Sequence, residues 1–215
     1  MNTSLILTLD LTLAALLLWC LAKLGASGRT VGLVGGACAV WLALLVWMFG
    51  GRRIIPADIG GLAFFAILIA GVALVAVLFF TTAIGESFRR GGHEWLLMPQ
   101  GLRAFFGTAF LIQGVGGTLP PAFAIADGVT HIAAAVLALW TAWMVGKGYF
   151  AARALWLVNL FGLLDIVVVA AGIAFVLLPE IGPYHNVMYA AFFAAPIFIA
   201  LHLLSLRHLL SASPA

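Results

Sequence analysis

Residues 57–84 read ADIGGLAFFAILIAGVALVAVLFFTTAI, and after Asp58 no charged side chain interrupts them. A helix crosses the hydrocarbon core of a bilayer with about 20 such residues. Six more stretches of this kind follow or precede it. The predicted spans are Leu5–Leu24, Val31–Phe49, Ala57–Ile84, Gly101–Leu119, Ala122–Val145, Ala154–Leu178 and Asn186–Leu210. Helix breakers lie between them: Gly25, Ser27 and Gly28, then Gly50, Gly51 and Pro56, then Pro120 and Pro121, then Pro179, Gly182 and Pro183. The expectation is an all-α polytopic membrane protein. Its seven transmembrane helices form a single domain over residues 1–215.

Composition agrees. Of the 215 residues, 65% are hydrophobic and 8% charged, against about 25% charged in soluble domains. A chain of this length cannot hide so much apolar surface from water. Lipid is therefore the implied solvent and partner, and the pI of about 9.2 does not point to nucleic acid. The charges report orientation instead. With the N-terminus outside, Lys23, Arg29, Arg89, Arg90, Arg103, Lys147, Arg153 and Arg207 fall in cytoplasmic gaps, and only Arg52 and Arg53 fall outside. The positive-inside rule then reads an outside N-terminus and a cytoplasmic C-terminus. The expected location is a bacterial inner membrane. No basic n-region precedes the first span, so a cleaved signal is not expected.

Residues 85–100, GESFRRGGHEWLLMPQ, join the third and fourth spans. They read either as an interfacial helix or as a loop with an aromatic anchor. Cys20 and Cys38 fall inside spans without metal-type spacing and read as packing residues.

Function must reside in the polar groups left within the spans, because each costs a few kcal/mol there (about 3) and usually faces the bundle interior. They are Asp10, Gln113, Asp127, His131, Asn159, Asp165 and His202. From a rise of about 1.5 Å per residue, Asp10, Gln113 and Asp127 lie about 6–9 Å from the outer face. His131 lies about 12–14 Å deep, and Asp165 and His202 lie at about 20 Å. Asp127 and His131, four apart, share a helix face, although Asp127 is also expected to cap the fifth helix. Asp165 with His202 is the favoured pair at mid-membrane. Asn159, six residues before Asp165, falls on a different face. Pro196 should kink the last helix. The Gly-rich stretch 113–121 either frames a pocket open to the outer face or serves tight packing.

Three classes of function fit these residues. The first is a small transporter or channel-like protein. It moves a proton, cation or small solute through an outward-open pocket between the fourth and seventh spans. The second is an intramembrane metal-dependent hydrolase. The set Asp127, His131, Asp165, His202 and Ser205 is similar to the sites of the alkaline ceramidase and adiponectin receptor kind, which implies zinc on histidines. Zinc or iron on His131, Asp165 and His202 is the corresponding ligand set, but the third histidine of those sites is missing. The third is a non-catalytic subunit, or a lipid- or pigment-binding scaffold, with partner membrane subunits. Retinal is excluded from the comparison with microbial rhodopsins, because 186–210 contains no lysine. The different depths of His131 and His202 argue against one haem bridging them.

Overall fold

The computed structural model describes residues 2–50, 54–149 and 152–212. Every regular element among them is helical. In chain order they are α1 (Asn2–Lys23), α2 (Gly28–Leu45), α3 (Gly61–Thr81), α4 (Ala83–Gly91), α5 (His93–Leu97), α6 (Arg103–Val115), α7 (Pro121–Gly146), α8 (Ala152–Gly172), α9 (Leu178–Ile181), α10 (Val187–Phe192) and α11 (Ala194–Ala212). A 3₁₀ segment, Met98–Leu102, joins α5 to α6, and π turns extend α2 over Val46–Gly50 and α8 over Ile173–Leu177. Seven helical stretches are long and apolar enough to cross a membrane. The chain is a multi-pass membrane protein.

Six of the seven spans lie within a few residues of their expected limits. The fourth does not. It runs over His93–Val115, so it begins eight residues before the expected Gly101. The polar look of HEWLLMPQ conceals helix and 3₁₀ turn, whose Leu96, Leu97, Pro99 and Gln100 are buried. Arg103 therefore does not sit in a cytoplasmic gap. It lies ten residues into a span and is completely buried. Arg52 and Arg53 lie outside the described residues. A short helix, α4, begins just before the 85–100 stretch and ends at Gly91. Its Gly85, Ser87 and Phe88 are buried. Glu86 points outward and meets Arg89 at 2.5 Å and Arg90 at 4.0 Å. Its hydrogen bond from Arg89 holds the Glu86 carboxyl below its ordinary pKa. Gly92, at φ 81°, then turns the chain into the fourth span.

The last span is the centre of the bundle: 89% of an 18-residue window within it is buried, against 11% of the corresponding window of the second span. That burial concentrates apolar contact on α10 and α11, with Phe192, Phe193, Phe198, Leu201 and Leu204 in the core. Pro196 breaks this span as expected. Lacking an N–H, it leaves the Phe192 carbonyl without its helical donor, and the Trp41 indole supplies one at 3.0 Å. Gln100 donates to the Phe198 carbonyl at 3.0 Å in the same way. The distorted helix is thus stapled by side chains from α2 and the 3₁₀ segment.

Helices α6 and α7 form an antiparallel hairpin packed through small residues. A Cβ added at Gly107 would lie 2.5 Å from the Gly128 carbonyl, and one added at Gly114 would lie 2.5 Å from the Ala124 Cβ. Gly107 and Gly114 serve this contact, whereas Gly117, at φ 69°, has nothing within 4 Å of its Cβ position and turns the chain beyond α6.

Candidate functional site

Four helices of the second half of the chain place their polar residues against one another. The fourth span contributes His93 and Arg103, α7 contributes Asp127 and His131, α8 contributes Asn159 and Asp165, and α11 contributes His202 and Ser205. All are buried. An arginine in protein stays protonated, so the buried Arg103 needs a carboxylate. Asp165 provides it: Arg103 Nη2 donates to Asp165 Oδ2 in a close ion pair. The other guanidinium arm, Nη1, donates to the Gly162 carbonyl at 3.3 Å and reaches His202 Nε2 at 3.4 Å. Gly162 is required here. A Cβ on it would overlap His202 Nε2 and come within 3.1 Å of Arg103 Nη1.

The bonds beyond His202 assign its tautomer. The Asn159 amide nitrogen donates to the Leu155 carbonyl at 2.7 Å and to Ser205 Oγ at 2.9 Å. A carbonyl can only accept, so the other amide atom is the oxygen. It accepts from His202 Nδ1 at 2.9 Å. The neutral imidazole of His202 then carries its proton on Nδ1 and turns its bare Nε2 toward the guanidinium. Ser205 Oγ shares a 2.9 Å hydrogen bond with His93 Nδ1, and the His93 ring meets the His208 ring edge-on at 4.7 Å.

On the other side of Asp165 the contacts change character. His131 Nδ1 lies 3.0 Å from Asp165 Oδ2 and 2.9 Å from Asp127 Oδ1. These are ion-pair distances. Nδ1 thus stands between the two carboxylates with its hydrogen squarely aligned to neither, and Asp127 Oδ2 has no hydrogen-bond partner. Phe110 covers the imidazole at 5.8 Å between ring centres. A crevice of about 310 Å³ lies between α7 and α8, lined by Asp127, Asp165, Phe123 and Phe161. Leu164 and Val168 at its rim are 63% and 60% exposed, so it opens on the apolar outer surface of the bundle.

One continuous chain of polar contacts results: Asp127, His131, Asp165, Arg103, His202, Asn159, Ser205, His93. It runs from the seventh residue of α7 to the first residue of the fourth span. That polar chain lies on the fourth to seventh spans, and residues 61–210, the third to seventh spans, match a family model described as a domain of unknown function, DUF8737. The chain belongs to that family. No curated protein and no solved structure matches it. The DUF8737 segment holds every member of the polar chain and leaves α1 and α2 outside.

Several expectations are corrected by this geometry. Asp165 and His202 are not a direct pair, because the Arg103 guanidinium stands between them. Asn159 does belong with Asp165, although the two leave α8 at different angles, because His202 and Arg103 connect them. Asp127 does not cap α7: the helix starts at Pro121, with Pro120 before it and no side-chain cap. His131, Asp165 and His202 do not converge as metal ligands. His202 presents Nε2 to a cation and Nδ1–H to Asn159, and among the described residues no group of three His, Cys, Asp or Glu side chains could hold a metal. Gln113 and Asp10 are buried with no hydrogen bond to either amide atom or carboxylate oxygen, and neither joins the chain.

Sequence reasoning missed Arg103 and His93. The signal for both was the apolar run Trp95-Leu96-Leu97-Met98, which extends the fourth span backward far enough to enclose Arg103.

Proposed function

We propose that this protein is a small membrane transporter, moving a proton, a cation or a small solute by way of the polar chain between its fourth and seventh spans. The observation that supports this most is the continuity of that chain through a bundle otherwise filled with apolar side chains. A buried ion pair is a poor way to gain stability, since hydrophobic residues of equal volume often do as well or better. Ionisable residues inside membranes most often serve ion and substrate paths.

The arrangement suggests how the path is held shut. The Arg103 guanidinium is a fixed positive charge halfway along it, and a fixed arginine excludes other cations. Passage requires Asp165 to part from Arg103. That ion pair, between the fourth and sixth spans, is the gate, and His131 is placed to take over Asp165 when it opens. With Arg103 moved into the membrane, seven basic residues against two still support a cytoplasmic C-terminus. That orientation puts the Asp127 end of the path outside and the His93 end at the cytoplasmic face, in keeping with a bacterial inner-membrane location.

Proteoliposomes containing a trapped pH dye test this reading. A pH step should collapse faster than in empty vesicles, and Asp165→Asn should slow it at least about tenfold, a barrier change of about 1.4 kcal/mol. Wild-type flux no faster than in empty vesicles would favour the non-catalytic subunit instead. Unchanged flux in the variant would remove Asp165 from the path.

A further inference from the structure

The crevice between α7 and α8 contains a group that the gate leaves unused. The Asp127 side chain is 2% exposed, and neither of its oxygens accepts a hydrogen bond. Buried carboxylates are normally hydrogen-bonded, and an uncompensated one is costly. Among the described residues, the one ionisable side chain in direct contact with it is His131, which it shares with Asp165 and whose Nδ1 lies 2.9 Å from Asp127 Oδ1. The guanidinium of Arg103 is taken by Asp165 and His202. Asp127 therefore faces a cavity with acceptor capacity to spare.

The walls indicate what fits. Apart from Asp127, Asp165 and Thr130, the crevice is lined by apolar side chains, including the rings of Phe123 and Phe161. A hard inorganic cation needs six or more oxygen ligands, which this lining does not supply. Aromatic faces attract organic cations. The mouth opens where Leu164 and Val168 face outward, so a ligand would arrive from the bilayer and not from water. We infer that this crevice is a binding site for a lipophilic organic cation, received from the lipid with its positive charge against Asp127. As a substrate class the inference rests on the transport reading, whereas as a binding site it does not.

Equilibrium dialysis of tetraphenylphosphonium against the full chain in lipid nanodiscs, with empty discs subtracted, separates the two. One saturable site per chain is expected. Asp127→Asn should weaken it at least about tenfold. So should Ala126→Trp, which fills the crevice from an exposed position outside the polar chain and serves even if the aspartate variant folds poorly. Neutral triphenylphosphine oxide should bind at least about tenfold more weakly than the cation. Leu157→Trp, at an exposed position of α8 away from the crevice, should leave binding unchanged. Binding no greater than to empty discs overturns the inference. So does binding that survives both Asp127→Asn and Ala126→Trp, and so does equal affinity for the neutral analogue, which would mark a groove for lipid chains. Absent binding beside intact Asp165-dependent proton flux strikes this site alone. Intact binding without flux strikes the transport reading and leaves the site standing.

Discussion

The two halves of the polar chain are built on different rules. From Arg103 toward His93, each neighbour is joined by hydrogen bonds: guanidinium to imidazole, imidazole to amide, amide to hydroxyl, hydroxyl to imidazole. Asn159 has its amide orientation fixed by the Leu155 carbonyl, and it in turn accepts from His202 Nδ1. From Asp165 toward Asp127, two carboxylates stand within about 3 Å of one imidazole nitrogen, His131 Nδ1, beside an open crevice. A hydrogen-bonded network of the first kind holds its members in place. A cluster with capacity left over can take up or release a proton or a ligand without disturbing the rest. The first half reads as a frame and the second as the working end, with the Arg103–Asp165 pair at their junction.

The junction should give the largest effect. Asp165→Leu leaves a buried guanidinium with no carboxylate, and breaking a buried pair in this way costs about 3–5 kcal/mol. Unfolding in detergent, followed by helical circular dichroism, is expected to show a loss of this size. The double variant Arg103→Met with Asp165→Leu removes both charges and should recover most of it. If the double variant is as unstable as the single one, the pair is not what the two halves share.

The frame is tested next by steric means. Gly162→Ala places a methyl group on the His202 imidazole, between packed helices that cannot give way. Overpacking of this kind costs about 1–3 kcal/mol, and the His202 tautomer should no longer be held by Asn159. Thermal unfolding reads the first effect, and the nitrogen NMR shifts of His202 read the second. A stable variant with an unchanged His202 spectrum would mean that the close approach at Gly162 is looser than the geometry implies. Ser205→Ala is milder. It deletes the hydroxyl that joins Asn159 to His93, and hydrogen bonds between membrane helices contribute about 0.6 kcal/mol each. A loss of about that size is expected, with His93 becoming more accessible to diethyl pyrocarbonate. Unaltered His93 labelling would detach that residue from the chain.

Most of the working end was legible from sequence, and the frame was only half so. Asp127, His131 and Asp165 stand out because ionisable side chains are costly within apolar runs, and i,i+4 spacing already pairs the first two. Asn159 and His202 stand out for the same reason, but their connection does not. Which helices touch is decided by packing of apolar faces that look alike in sequence, and here the decision depends on small residues at Gly107, Gly128 and Gly162. Arg103 was hidden for a different reason. His93, Glu94 and Gln100 lower the hydropathy of its N-terminal flank, so the span seemed to begin after them and the arginine passed for an interfacial charge. The burial of Gln100 against the Phe198 carbonyl could not be foreseen even with the Pro196 kink in view, because it depends on which helix packs beside α11.

The smallest expected effect on stability falls on the residue with the largest proposed role. Asp127 is buried, yet it accepts no hydrogen bond, and its one close contact is an imidazole shared with another carboxylate. Asp127→Asn keeps the volume, removes a charge, and leaves His131 with Asp165 as its partner. The substitution removes a costly buried charge together with its contact to His131; the two effects oppose each other, and the net stability change is expected to be the smallest of the series. Asn159→Leu, of similar size and equally buried, unseats bonds to Leu155, Ser205 and His202 at once and should cost several times more. Chemical unfolding of the two variants side by side measures the contrast. Equal losses would mean that Asp127 is held as firmly as Asn159, and the division of the chain into frame and working end would fail. A near-silent Asp127→Asn that nevertheless abolishes cation binding or proton flux would place the function at the end of the chain where the fold invests least.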